Sequence, residues 1–254
     1  MPFITVGSQQ VFYAVRGRAA ARPVVFLHGA GGSHLVWGNQ LEALAHSARP
    51  LALDLPGHGR SPGPGRTSIE DYASVVIGFL QDVARAPALL VGHSMGGGIA
   101  QTVALLRPDL LRGLVLVGTG ARLRVAPGLL DAIESDFPAA VAMVGQFAFA
   151  PGAPERAVRR SQRILGQTAP ATVHGDFVAC DRFDLMSRLP EIKVPALVLC
   201  GAEDLLTPPR YAAFLGERIA EARVMVVPRA GHMVMLEEPA VVAQAIIAFL
   251  TECP

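Results

Sequence analysis

The sequence predicts an α/β protein: a mostly parallel central sheet covered by helices on both faces, with a helical segment inserted late in the chain. Three observations carry this. Short continuous apolar runs recur, such as Pro23-Val24-Val25-Phe26-Leu27 and Ala88-Leu89-Leu90-Val91, as strands buried on both faces of a parallel sheet require. Segments with helical apolar spacing alternate with them, which places crossover helices between strands. The glycine-rich and polar loops follow the C-terminal ends of these runs, where open α/β sheets bind ligands.

The chain has 254 residues and is 51% hydrophobic, enough for one large core. Lys and Arg number 22 against 21 Asp and Glu, a net charge of +1. With no long run of like charge, neither nucleic acid nor a membrane surface is expected as a partner. The three cysteines, Cys180, Cys200 and Cys253, are odd in number, far apart and without metal-ligand spacing. They suit a reducing compartment. The N-terminus lacks a signal-like pattern, and no apolar run approaches the roughly 18 residues that span a bilayer. A cytoplasmic location is therefore expected. Nothing in the pattern specifies an oligomeric state.

Phe3–Val6 and residues 11–15 read as a hairpin around Gly7-Ser8-Gln9-Gln10. The buried run at Pro23–Leu27 ends in His28-Gly29-Ala30-Gly31-Gly32, whose backbone a substrate can approach closely. A helix opens at Ser33 or His34 and continues through Trp37, Leu41 and Leu44. Pro50-Leu51-Ala52-Leu53 is the next strand, and Asp54-Leu55-Pro56-Gly57-His58-Gly59-Arg60-Ser61 a turn-rich loop. Ser68 opens a capping box ahead of a stripe of Tyr72, Val75, Val76, Phe79, Leu80 and Val83. From 121 to about 190 the alternation stops, and helical pieces at 129–137, 139–149 and 155–165 are separated by prolines. It resumes with a strand at 194–200, a helix at 209–220, a strand at 223–227 and a closing helix at 239–250. Residues 1–120 and 191–254 are thus read as the core domain, and 121–190 as an insertion.

The chemistry centres on Gly92-His93-Ser94-Met95-Gly96, between an apolar strand and a helix-forming stretch. A tight strand–helix turn of this kind strains the serine backbone and lifts its hydroxyl above the sheet edge. Side chains at Gly92 or Gly96 would collide across the turn. The Met95 N–H is left at the helix start, aimed where an oxyanion would form. The bland alternative is a glycine-rich turn with an incidental serine; the rest of the chain weighs against it. A serine hydroxyl needs a neighbouring base, and His232 stands on a loop after the last strand. A third group must hold the imidazole tautomer. After the strand ending at Cys200 two carboxylates are available, Glu203 and Asp204.

Five motifs in order resemble the α/β-hydrolase family over nearly the whole chain: His28-Gly29-Ala30-Gly31-Gly32, Asp54 to Ser61, Gly92-His93-Ser94-Met95-Gly96-Gly97, Gly201-Ala202-Glu203-Asp204 and Gly231-His232. The resemblance implies an α/β-hydrolase fold with 121–190 as its helical cap, and a Ser94, Asp204, His232 triad in the family's chain order. Asp204 occupies the aspartate of the family's G-x-x-D pattern. The resemblance also adds the Ala30 N–H to that of Met95 in the oxyanion hole. Met95 and the glycines after it are similar to those of small cofactor-free esterases, enol-lactonases and carbon–carbon bond hydrolases. No metal or organic cofactor is implied. Ser94 stands where dehalogenases and epoxide hydrolases carry aspartate.

Gly29, Trp37, Phe147 and Phe149 are the candidate substrate contacts, although core packing is the commoner fate of a residue like Trp37. His28 is read as bracing its own loop, His58 as structural, and Asp54 as a loop hydrogen-bonder. The ring of His93 is not expected to face Ser94. Arg159, Arg160 and Arg163 read as a solvated helix face. The leading function is hydrolysis of a small carboxylic ester or lactone through an acyl-enzyme. The alternatives are hydrolytic carbon–carbon cleavage of a diketone by the same triad, and a non-catalytic small-molecule binding or signalling protein.

Overall fold

A computed structural model describes residues 2–253. Eight strands form one sheet: β1 (Phe3–Val6), β2 (Gln9–Val15), β3 (Pro23–Leu27), β4 (Arg49–Leu53), β5 (Ala88–His93), β6 (Leu111–Val117), β7 (Ala196–Gly201) and β8 (Ala222–Val227), in the order β1-β2-β4-β3-β5-β6-β7-β8. β2 pairs antiparallel with β1 and with β4, and every other pairing is parallel. The chain starts near one edge and crosses back at β3, so β3 and β5 are neighbours in the middle. Their C-terminal ends carry the His28 to Gly32 loop and Ser94 side by side.

Side-chain alternation along each strand divides the core in two. Val25 and Leu27 of β3 point to one face, Val24 and Phe26 to the other. The first face is covered by α2 (Ile69–Phe79), α3 (Met95–Leu106) and α8 (Pro209–Arg218), through Tyr72, Val76, Ile99, Val103 and Leu215. The second face is covered by α1 (Gly38–Leu44) and α10 (Pro239–Glu252), through Leu41, Leu44, Val242 and Ile246. Ser68 caps α2 by accepting from the Asp71 N–H at 3.1 Å, the bond its position predicts.

Between β6 and β7 lie α4 (Leu129–Ser135), α5 (Phe137–Phe147), α6 (Glu155–Gln167) and α7 (Pro170–Arg182). α4, α5 and α6 match the helical pieces expected there. α7 is a finding of the structure alone. Its buried residues are Thr172, Val173, Gly175, Asp176, Ala179 and Cys180. That spacing is a helix face, but its small and polar occupants give no apolar stripe.

Three other elements differ from expectation. The β1–β2 turn is shorter, because Gly7 at φ 58° lets the chain reverse over Gly7-Ser8. The helix expected from His34 begins as a 3₁₀ turn, His34–Trp37, before α1. A short helix, α9 (Val234–Glu237), follows His232. No helix among the described residues is long and apolar enough to cross a membrane.

Candidate active site

Ser94 joins the end of β5 to the start of α3 with φ 52° and ψ −117°. A non-glycine residue in that region is strained. The surroundings hold it there: the Ser94 N–H donates to Val117 O at 3.0 Å, and Ser94 O accepts from the Thr119 hydroxyl and the Gly97 N–H, each at 2.8 Å. Both flanking glycines are required by contact. A Cβ on Gly92 would lie 2.1 Å from Gly96 O, and one on Gly96 would lie 2.7 Å from Leu27 O and His28 O. Gly29 approaches from β3, and a Cβ there would come within 3.1 Å of the Ser94 Cβ.

His232 and Asp204 come from the loops after β8 and β7. His232 Nδ1 lies 3.0 Å from Asp204 Oδ2 and 3.2 Å from Oδ1. A carboxylate accepts, so Nδ1 carries the proton, and the neutral ring keeps its lone pair on Nε2. The carboxylate is itself fixed: Oδ1 accepts from the N–H groups of Leu206 and Thr207 at 2.9 and 2.8 Å, and Oδ2 from the Thr207 hydroxyl at 2.8 Å. Burial opposes the Asp204 charge, but His232 beside it and the Thr207 donors outweigh burial and hold its pKa below the ordinary value. Glu203, one residue earlier, is exposed. Glu237 braces the histidine loop, accepting from the Gly231 N–H at 3.0 Å and the Ala150 N–H at 2.9 Å.

The remaining histidines near the site have structural partners. His28 Nδ1 donates to Gly29 O at 2.8 Å while Nε2 accepts from the Leu55 N–H at 3.0 Å, which makes the ring neutral. His93 donates from Nε2 to His232 O at 3.1 Å, with the two imidazole centroids 4.7 Å apart. Asp54 accepts from the N–H groups of His34 and Arg60, as its place in a turn implies. His58 differs. Its Nδ1 faces Pro56 O at 3.0 Å and its Nε2 faces Asp176 Oδ2 at 2.7 Å. Both partners accept, so both nitrogens carry protons and the ring is a cation.

These states predict a pH dependence of stability. Burial, with His58 adding to it, lowers the His28 pKa to about 4; burial, with His232 adding to it, lowers that of His93 to about 3. The unfolded chain protonates both from about pH 6.5 downward, so it binds more protons than the folded chain below that pH. Stability should therefore fall as pH drops from about 6.5 toward 4, by several kcal/mol in all. His58 acts the other way, since its folded pKa is raised against burial by Asp176. Its contribution is complete below about pH 6.5 and is lost only at higher pH. Thermal melts from pH 4 to 8 test this; a Tm that is flat between pH 4 and 6.5 contradicts the neutral assignment.

Ser94, His232, Gly29 and Ala30 line one cleft. A second arm runs from Ser94, Ala30 and His232 toward Leu123, Val125 and Tyr211. Phe177 and Leu206 border both arms. The other expected contacts are elsewhere. Trp37 is fully buried against the Phe26 ring, 5.0 Å between centroids, so it belongs to the core and not to the cleft wall. Phe149 is packed in the same core cluster, and Phe147, at the end of α5, is 44% exposed to solvent; neither lines the cleft. In the first arm the apolar walls contributed by the insertion are Val144, Ala148, Ile164, Leu165 and Phe177, and in the second they include Leu123, Val125 and Leu129. Ile164 and Leu165 belong to a predicted helix, whereas Phe177 belongs to the unforeseen α7. Arg159 pairs with Glu155, and Arg160 Nη2 donates to Leu35 O at 2.7 Å. No group of His, Cys, Asp and Glu among the described residues is arranged to hold a metal ion.

A strained serine on a strand–helix turn, with a carboxylate-oriented histidine in the same cleft, defines a class of α/β protein. The chain belongs to the alpha/beta hydrolase family, whose sequence profile matches residues 24–245. It is 32% identical to the dihydrolipoyllysine-residue acetyltransferase component of the acetoin cleaving system of Pseudomonas putida, over 96% of this chain and 68% of that protein. It is 30% identical to the pimeloyl-[acyl-carrier protein] methyl ester esterase of Pectobacterium carotovorum subsp. carotovorum, over 89% of this chain and 93% of that one. Among solved structures, the enol-lactonase of Burkholderia xenovorans LB400 superposes with a TM-score of 0.93 at 27% identity, covering 98% of this chain and 100% of that one.

Proposed function

We propose that this protein is a serine hydrolase that cleaves a small carboxylic ester or lactone through an acyl-enzyme. The observation that carries the reading is the strained Ser94 at the mouth of β5, facing the cleft that His232 also lines. Strain of this kind persists where the position of one side chain matters. The esterase and lactonase relatives support the same chemistry.

In this reading Ser94 Oγ attacks the carbonyl carbon while His232 Nε2 takes its proton. Asp204 holds the Nδ1 tautomer and stabilises the imidazolium that forms. The N–H groups of Met95 and Ala30 receive the oxyanion. His232 then protonates the leaving alkoxide. Water, deprotonated by the same nitrogen, attacks the acyl carbon, the bond to Ser94 Oγ breaks, and His232 returns the proton to Oγ as the acid is released. A panel of short-chain esters and lactones tests this. Turnover that is saturable and blocked by an active-site phosphonate is the expected result, and absence of turnover across the panel rejects it.

Residues 121–190 act as the cap of this site and set substrate choice. Phe177 of this segment, with Leu206 from the loop after β7, lines both arms and so borders both the acyl and the leaving-group side. A pocket discriminates by about 1–3 kcal/mol per methylene. Phe177→Ala or Leu206→Ala should accordingly change the ratio of kcat/KM between two-carbon and eight-carbon acyl esters by about tenfold or more. A ratio within twofold of wild type for both variants would show that these walls do not select.

A further inference from the structure

We infer that Asp176, on cap helix α7, is a positioning residue for the oxyanion loop, so that the docked cap completes the catalytic apparatus as well as covering it. The inference rests on the hydrolase reading for the role of the Ala30 N–H. Its structural half stands without that reading.

The loop after β3 must present the Ala30 N–H to the cleft, and the chain leaves Ala30 through Gly31 at φ 62°. The Gly29–Ala30 peptide is held at its carbonyl by His28 Nδ1 at 2.8 Å and by the Gly32 N–H at 3.0 Å, and the next two peptides are held from the cap. Asp176 Oδ2 accepts from the Gly31 N–H at 2.8 Å, and Gly31 O accepts from the Thr168 hydroxyl at 3.0 Å. Thr168 lies in the corner between α6 and α7, so both bonds come from the cap. Contact is equally close: a Cβ on Gly31 would lie 2.1 Å from Leu165 Cδ1 of α6. Asp176 is fully buried, and its other bonds fix it from the core side. Oδ2 also accepts from His58 Nε2 at 2.7 Å, and Oδ1 from the Tyr72 hydroxyl at 2.6 Å. The Tyr72 oxygen in turn accepts from the Arg66 N–H at 2.9 Å. Helix and loop are shaped for this approach, since a Cβ on Gly65 would lie 2.7 Å from Thr172 Cγ2 and one on Gly175 would lie 3.0 Å from Arg66 O.

A buried carboxylate with three donors has little freedom. The His58 cation balances its charge, leaving the Gly31 N–H to be aligned by a fixed acceptor. Moving α7 away would strand an imidazolium, a backbone N–H and a phenol without partners, so the arrangement favours one position of the cap. The residue thus acts through the loop and touches no reacting atom.

The test compares Asp176→Ala, Asp176→Asn and Thr168→Val with wild type. Asp176→Ala should lower kcat about 100-fold, the size of effect seen when an oxyanion donor is lost, with KM within threefold. Hydrogen exchange in residues 28–33 should accelerate about tenfold or more, while residues 92–97 keep their protection. Asp176→Asn keeps an oxygen for the Gly31 N–H and should recover most of the lost kcat. Glu134→Gln, which changes the exposed carboxylate 3.4 Å from His174 Nε2 of α7, should leave kcat unchanged. A kcat for Asp176→Ala within threefold of wild type overturns the inference, as does a loss that falls wholly in KM. An Asn variant no better than Ala assigns the effect to the His58 ion pair and also overturns it. If Asp176→Ala does not fold, Thr168→Val decides: a kcat about fivefold lower at unchanged KM supports loop positioning, and an unchanged kcat rejects it. If wild type neither cleaves esters nor reacts with a phosphonate, the hydrolase reading fails, and the exchange measurement still decides whether the cap holds the loop.

Discussion

Ser94→Ala is expected to lower kcat by about 10⁶-fold, the loss found when the nucleophile of a serine triad is removed, while Tm moves by no more than a few degrees. The fold should survive because the anchors of residue 94 are backbone groups. Its N–H bonds Val117 O, and its carbonyl oxygen receives the Thr119 hydroxyl and the Gly97 N–H. Alanine keeps all three and occupies the same strained φ with the same Cβ. Only Oγ is lost, and with it the atom that would form the acyl bond. Residual rate would come from the proposed oxyanion donors, with water as the nucleophile. A fluorophosphonate should label wild type at Ser94 and leave the variant unmodified, as read by peptide mass. Labelling at another serine, or a variant that retains a tenth of the activity, removes Ser94 from the role.

What the sequence made legible and what it hid divide along physical lines. Parallel strands such as Ala88–His93 are buried on both faces, so their apolar runs show directly. The Ser94 turn was legible because two glycines are forced by backbone contact, and such contact leaves no alternative residue. The Asp204 and His232 loops were legible through position after a strand and through family pattern. Side-chain packing was not. Trp37 lies in sequence just past the glycine loop, but the 3₁₀ turn at His34–Trp37 rotates it under the sheet, onto Phe26. Phe149 follows the same rule, since α5 ends before it and the chain turns it into the core. Asp176 was hidden for a different reason. Its helix buries Thr172, Gly175 and Asp176 where a hydrophobic pattern would place large apolar side chains. A buried polar face has no periodic signal in hydropathy. The hint available was the Gly175-Asp176 pair opposite the Pro-Gly-His-Gly turn, which reads only once the two segments are known to touch. Glu237 was missed likewise, because its two acceptor bonds join the Ala150 and Gly231 N–H groups across distant segments.

Asp204→Asn is expected to lower kcat by about 10⁴-fold with the fold intact, as the same change does in a serine protease triad. The geometry says how. The Leu206 and Thr207 N–H groups both donate to Oδ1, so the asparagine amide would keep its oxygen there. The NH₂ group then takes the place of Oδ2, 3.0 Å from His232 Nδ1. An NH₂ donates, so Nδ1 must accept and the ring proton moves to Nε2. The nitrogen that takes the Ser94 proton in the proposed mechanism then already carries one. The Thr207 hydroxyl, which donates to Oδ2 in the native protein, can rotate to accept from the NH₂, and the loop stays satisfied. Glu203 is exposed and makes no such contact with the ring, so Glu203→Gln should cost less than about tenfold, or about 1.4 kcal/mol in the barrier. The measurement is kcat for both variants on one ester, with thermal melts to show that each is folded. The tautomer itself can be read from ¹⁵N shifts of His232, which should place the proton on Nδ1 in wild type and on Nε2 in Asp204→Asn. A crippled Glu203→Gln beside a nearly normal Asp204→Asn would move the orienting role one residue upstream, and an unchanged tautomer would show that Asp204 does not set it.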